Sequence, residues 1–493
     1  MDEAASIDVL CADKTGTLTA NELSVTAVHA LSGCDESHVL GFAALASSDG
    51  GDDPVDAAIR AAAAKKPASD LPKLIRFVPF DPGTKMSEAT AAGSGGTTVR
   101  VVKGAFAAVA PLTQPVPDGI NDASNIVNEL AGKGFRVLVV AIGPPNALRL
   151  AGMIALSDPP RSDSAALIEE LHTLGVRAVM VTGDAAATAA FVAHAVGLDG
   201  KVCPAGAIPA DVRPDEFAVF AGILPEGKYN LVKAFQKSGH TVGMCGDGAN
   251  DGPALRQAQM GIAVSTATDV AKSAAGIVLT KPGLGGIVAS VKEGRITFQR
   301  ILTYTINSVT KKIVNVLFLA AGLIMTGHAI LTPLLMVILM ITGDFLAMSL
   351  TTDNVRPSPS PNVWQIGRLT VAGVIIGTCD LLFCIGVFAF GKFHLLLGLD
   401  ALRTLSLVAL VFSGEASLYA IRERRRIWSS APSRWVVAST VGDIIGISAL
   451  ALSGVAMTAL PVSVVLSTLG AAVAFAFLVD TVKAPVFHRL KIS

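Results

Sequence analysis

The chain has 493 residues, 51% of them hydrophobic and 16% charged, with a mean hydropathy of +0.57. That is too apolar for an ordinary soluble enzyme and long enough for two to four domains. Basic and acidic residues balance at 39 each, so no nucleic-acid partner is expected.

The opening MDEAASIDVL carries neither a basic n-region nor a long apolar h-region. No cleaved signal peptide is expected, and bilayer insertion is left to internal segments. Short β-branched runs then end repeatedly in acidic or glycine turns. IDVLC leads to Asp13, VRAVMV to Thr182-Gly183-Asp184, and TVGMC to Gly246-Asp247-Gly248, with GIAV and GIVLT following. Helical stretches such as SDSAALIEELHTLG separate them. This alternation predicts an α/β fold with a doubly wound parallel sheet, whose ligands bind beyond the carboxyl ends of the strands. The three acidic turns share that edge and, with Lys228 in LPEGK, are expected to converge on one site. A polar loop end would explain any one of them alone. The six cysteines show no CxxC pair and no metal-like spacing with histidine; they read as buried thiols of a reducing compartment.

The residue types then suggest the chemistry. Asp13 can attack phosphorus as a covalent nucleophile. Asp247, with Asp251 nearby, can hold Mg²⁺, a hard ion that favours carboxylate oxygens. Thr182 and Lys228 can neutralise equatorial phosphoryl oxygens during in-line transfer. Thr15 stands two residues after the nucleophile, where a phosphatase needs a general acid/base, and a threonine hydroxyl cannot serve at neutral pH. An aspartyl phosphate is therefore expected to persist, which favours energy transduction over plain hydrolysis.

From residue 299 the chain turns apolar. Six segments reach the roughly 20 residues needed to cross a bilayer, near 304–326, 330–350, 369–391, 401–421, 436–457 and 461–483. Arginines and lysines crowd alternate connections: Arg295 and Arg300, Arg356 and Arg368, RERRRIWSSAPSR, and KAPVFHRLK. The positive-inside rule then puts the soluble half and both termini in the cytoplasm of a multi-pass protein. Lys311, Lys312, Asn315, Asp344, Asp380, Glu415 and Asp443 lie inside the spans. A charge at bilayer depth costs at least about 2.5–3.5 kcal/mol and usually faces a cavity or partner. Asp344 is the leading ion-pathway candidate; for Lys311 and Lys312, snorkelling near a helix end is the competing reading.

DKTGTLT, TGD and GDGANDGPAL, in that order and ahead of six membrane helices, resemble the motifs of P-type cation-transporting ATPases along essentially the whole chain. The resemblance implies a haloacid dehalogenase-like phosphorylation domain over 1–30 and 151–298, with an inserted α+β nucleotide-binding domain over 31–150. A membrane domain with six helices follows over 299–493. It implies that ATP phosphorylates Asp13 and that Mg²⁺ is bound by Asp13, the Thr15 carbonyl and Asp247, with Asn250 and Asp251 supporting the phosphate. Lys14, Gly183 and Asp184 belong to the same motifs, and DPPR at 158–161 matches the hinge segment. Phe80 would stack on adenine, Lys85 and Lys103 would line the pocket, Asp56 would lie at its edge, and Arg136 would contact phosphate. Met86 stands where an arginine is usual.

Among the pump classes the chain is most similar to plasma-membrane proton pumps. FAGILPEGKYNLVK and TFQRILTYTI resemble their phosphorylation domain and stalk, and Asp344 matches their proton-carrying aspartate. Lys311 or Lys312 could supply the counter-charge for release; Gly343 replaces an asparagine often found before that aspartate. Other cations (Ca²⁺, Na⁺, Mg²⁺) stay open. The family's actuator domain and four earlier helices have no counterpart here. The sequence is accordingly read as a C-terminal portion that works with a separately encoded N-terminal half, or as a membrane-bound phosphoacceptor without transport.

Overall fold

A computed structural model describes residues 2–492 except 21, 32, 51–52, 82, 94–96, 115–118, 205–207, 209–211 and 491, with backbone only at 119–122. The chain forms two compact units, Ile7–Ala289 and a second made of Met1–Ser6 with Ser290–Ser493.

Among the described residues, thirteen strands lie in the first unit. They are β1 (Val9–Asp13), β2 (Ser24–Ala30), β3 (Lys73–Asp81), β4 (Met86–Ala92), β5 (Thr98–Gly104), β6 (Arg136–Gly143), β7 (Arg149–Ser157), β8 (Arg177–Val181), β9 (Lys201–Cys203), β10 (Phe217–Phe220), β11 (Val242–Gly246), β12 (Met260–Ala263) and β13 (Ile277–Val278). Seven form a parallel sheet in the order β13-β12-β11-β1-β8-β10-β9. The α/β reading of the sequence holds here. Strands such as VLCAD and VGMCG are buried along their whole length, as a sheet covered on both faces requires.

The other six strands, drawn from residues 24–157, form an antiparallel sheet in the order β2-β7-β6-β5-β4-β3. Its period-2 pattern feeds two cores. Leu138, Val140 and Ile142 face one cluster with helices Glu36–Leu45 and Pro54–Lys65, while Val139 and Ala141 face another with Val109 and Ala123. The outermost strand, β3, is exposed on both faces.

Six helices of the second unit are long and apolar enough to cross a membrane: α1 (Gly285–Thr326, begun in the first unit), α2 (Pro333–Ser349), α3 (Ile366–Phe393), α4 (Leu399–Arg422), α5 (Arg434–Ser453) and α6 (Val462–Leu490). Their ends depart from the hydropathy reading for local reasons. α1 starts before its apolar run because the preceding stalk is itself helical. Thr332 and Ser433 accept from the amides of Leu335 and Val436, capping α2 and α5. Gly454, in the left-handed region at φ +73°, stops α5 before 457. α6 continues past 483 because Lys483 and Phe487 are buried. In the middle of the unit, α4 has 94% of its apolar stretch buried.

Candidate active site

β1 pairs with β8 and β11 so that Asp13 lies opposite Val181, and Ala12 opposite Cys245. The next residues of each strand, Thr182 and Gly246-Asp247, therefore emerge beside Asp13 at the carboxyl edge. The three acidic turns converge as the sequence implied, on a single centre. Asp13, Asp247 and Asp251 each offer a carboxylate oxygen within 4.8 Å of the other two. Lys228 reaches the same point from the first turn of helix Pro225–Lys237. Its ammonium donates to Asp13 Oδ1 at 2.8 Å and to Asp251 Oδ1 at 2.7 Å.

Two glycines make this closeness feasible. Gly16, at φ +68°, turns the chain shortly after Asp13, and a Cβ there would stand 3.4 Å from Asp247 Oδ2. At Gly246 a Cβ would come within 2.6 Å of Asp251 Oδ2, so only glycine lets that carboxylate fold back over the strand end.

Burial pushes the Asp13 carboxyl up to about 6; Lys228 opposes the rise, and Asp251 and Asp247 add to it. Burial and Asp251 also raise Asp247. Burial disfavours the Lys228 ammonium too, but Asp13 and Asp251 outweigh it and hold its pKa above the ordinary lysine value. Three crowded carboxylates facing one ammonium leave negative charge in excess, and all the donors are hard oxygens. The set fits a divalent cation such as Mg²⁺.

Other predicted residues fall close by. Lys14 bridges to Asp184 at 2.6 Å, and Thr182 Oγ1 accepts from the Asp184 amide at 3.1 Å. Gly183 is exposed beside them, Thr15 lies half-buried in the turn after β1, and Asn250 is exposed in the short helix Ala249–Asp251.

Of the residues expected to line a nucleotide pocket, Asp56 and Lys103 form a buried ion pair. Lys103 also donates to Ser47 Oγ at 2.7 Å, and Asp56 accepts from the Ser48 amide at 2.7 Å. The Lys85 carbonyl accepts from the Ala105 amide at 3.2 Å, two residues beyond Lys103. Phe80 stands on the outer strand, 46% exposed. Arg136 opens β6, exposed, and its side chain has no hydrogen bond or ion pair among the described residues.

In the membrane unit, Asp344, Lys311, Lys312 and Glu415 line one cavity of about 370 Å³. Gly343 and Gly414 lie next to the Lys311 side chain, where a Cβ on either would make ordinary contact with it, at 3.5 Å and 3.7 Å. Asp344 is not the sole carboxylate here: Glu415 also faces this space and accepts from Thr440 at 2.7 Å.

Sequence reasoning missed the braces. Asp158, of the DPPR segment, accepts from Thr19 Oγ1 at 2.5 Å and from the Glu22 amide at 3.2 Å, tying the stretch that follows Asp13 to the returning chain. Asp8 accepts from the Thr241 amide at 2.9 Å and lies 2.8 Å from His240 Nδ1, fixing the start of β1 against β11. An aspartate at each end of the returning segments was the available signal, but nothing local named its partner.

Residues 7–259, just over half of the chain, match a family of hydrolases described as haloacid dehalogenase-like. The whole chain aligns, over 510 residues at 33% identity, with a Methanocaldococcus jannaschii protein whose name assigns it, without proof, as a cation-transporting ATPase. The chain spans 63% of that relative's length.

Proposed function

The chain belongs to the haloacid dehalogenase-like hydrolase family, and from that premise we propose that it is part of a P-type ATPase that drives proton export through a phosphorylated Asp13. The observation that carries this reading is the Asp13 carboxylate at the shared strand edge, held by Lys228 and crowded by Asp247 and Asp251. An Asp13 oxygen attacks the γ-phosphorus of ATP; the bond from that phosphorus to the β–γ bridging oxygen breaks, and ADP leaves with the electron pair. Lys228 and Thr182 offset charge on the transferring group. Asp13, Asp247 and the Thr15 carbonyl would hold Mg²⁺, with Asp251 beside them; the ion, when bound, supplies positive charge to the phosphoryl oxygens. Thr15 cannot deliver a proton or activate water, so the phosphoenzyme outlives the transfer.

The nucleotide is assigned to the unit built on the antiparallel sheet, with Phe80 as the stacking surface and Lys85, Lys103, Asp56, Arg136 and Asn250 around the nucleotide and its phosphates. Stacking is worth about 1–3 kcal/mol per base, and the exposed ring of Phe80 supports that role. For the cation, Asp344 beside Lys311 in one cavity supports a proton: a carboxyl facing an ammonium can release a proton when the cavity's surroundings change. The arginine-rich connections support a plasma-membrane protein with its soluble part in the cytoplasm.

Incubation with labelled ATP and Mg²⁺ tests the proposal. The expected product is an acid-stable, hydroxylamine-labile phosphoprotein that Asp13→Asn abolishes. Equal labelling of the variant would overturn the assignment.

A further inference from the structure

A second cavity, of about 630 Å³, opens where α4 and α6 end and the α2–α3 connection folds back. Cations dominate its wall, among them Arg356, Arg424, Arg425 and His488, with Glu423 the one carboxylate lining it. Two of its arginines are already paired: Arg422 is bound to Asp353 at 2.9 Å, and Arg426 shares Asp480 with Lys483. Arg356, Arg424 and Arg425 are not. Arg424 donates only to neutral oxygens, those of Gln299, Thr303 and Ile421, and lies over the Phe487 ring. Burial pulls its pKa down to about 10, as befits a cation without a bound counter-charge. The guanidinium groups of Arg356 and Arg425 are exposed and have no hydrogen bond or ion pair among the described residues. Arg424 is part-buried with no ion-pair partner among the described residues, and a phosphate entering beside it and the two exposed guanidinium groups would gain charge-assisted hydrogen bonds.

An independent feature says where this cavity sits. The protein has three tryptophans; Trp364 precedes α3, Trp428 lies between α4 and α5, and Trp435 starts α5. All three stand at the same end of the spans as the cavity, and all are exposed, by 40%, 69% and 68%. Tryptophan at span ends marks the headgroup level of a bilayer, where basic pockets between spans take anionic lipid headgroups.

We propose that the cavity walled by Arg356, Arg424 and Arg425 binds the phosphate headgroup of an anionic membrane lipid. This site is separate from the phosphorylation centre and does not depend on the function proposed above.

The test uses the full chain in phosphatidylcholine bilayers carrying spin-labelled phosphatidylglycerol or spin-labelled phosphatidylcholine, and reads the protein-bound fraction of each. The wild type is expected to favour phosphatidylglycerol. Removing a guanidinium near the bilayer surface costs about fivefold in such a preference, so R356Q/R425Q is expected to bring it close to unity. R356K/R425K, which keeps both charges, is expected to restore most of it. Arg403→Gln, at the opposite end of α4 and paired with Asp400, serves as the control and should change nothing. Added salt should erode the wild-type preference, a readout that needs no variant. Equal retention of both lipids by the wild type, or undiminished preference in R356Q/R425Q, would overturn the proposal. So would displacement of the labelled lipid by millimolar inorganic phosphate, because the site would then take free phosphate.

Discussion

Lys228 has the most demanding position in the chain: one ammonium holds Asp13 and Asp251 together, its side chain only 11% exposed. Removing it strands carboxylates that have lost most of their water. Lys228→Met is expected to lose about 3 kcal/mol of stability in metal-free buffer and to regain much of it when Mg²⁺ supplies the missing charge. Thermal unfolding with and without Mg²⁺ would show this, and a loss of equal size in both buffers would contradict it. Gly246 acts through shape. A methyl at Gly246→Ala would stand against Asp251 Oδ2, Cγ and Cβ, so the Asp251 side chain with its short helical turn must shift away from the cluster. We expect the Mg²⁺ needed for half-maximal labelling to rise several-fold while the protein stays folded, and chelating the metal to abolish labelling in every variant. Asp13, Thr182 and Asp247 were legible in the sequence because each stands at the end of a buried strand or just beyond it, where local pattern fixes placement. The partners of Asp158 and Asp8 were not: Thr19 and His240 lie far along the chain, and only the folded register joins them.

Among the elements, α4 shows how a helix end is secured by a distant loop. Arg422, in its last turn, forms a fully buried pair with Asp353 and also donates to the carbonyls of Ser430, Asn354 and Ala431. Asp353 in turn accepts from the Ser433 amide at 3.0 Å, just where α5 begins. Arg422→Met is expected to destabilise the membrane unit by about 3–5 kcal/mol, because it leaves Asp353 buried and charged. Combining it with Asp353→Leu should recover much of that loss, since no unpaired charge then stays inside. Unfolding in mild detergent measures both, and a double variant no better than the single would refute the account. Hydropathy revealed six spans but not this clamp, because it weighs how apolar a segment is and says nothing of which charges meet. It also placed the start of α1 too late. The 42-residue helix runs about 63 Å at 1.5 Å per residue, twice a bilayer core, and Glu293, Arg295 and Arg300 lower the hydropathy of its first half although Ile287, Val288, Val291 and Phe298 are buried along it.

At the scale of the whole molecule, the proposed function joins a phosphoryl-accepting centre to a cavity containing Asp344. The two are expected to separate under mutation. Asp344→Asn should keep labelling at Asp13 and lose proton movement in reconstituted vesicles; normal acidification by the variant would remove Asp344 from the ion path. The burial of α4 has another consequence, one that concerns how the protein is made. This helix carries Glu415 and Arg422, and in the finished unit its neighbours shield it from lipid on nearly every side. During synthesis α4 leaves the ribosome before α5 and α6 exist, so those charges meet the bilayer or the insertion machinery uncovered. A nascent chain halted at that stage would be a quality-control substrate, and pairing of α4 with α6 would mark the moment at which the membrane unit becomes safe from degradation.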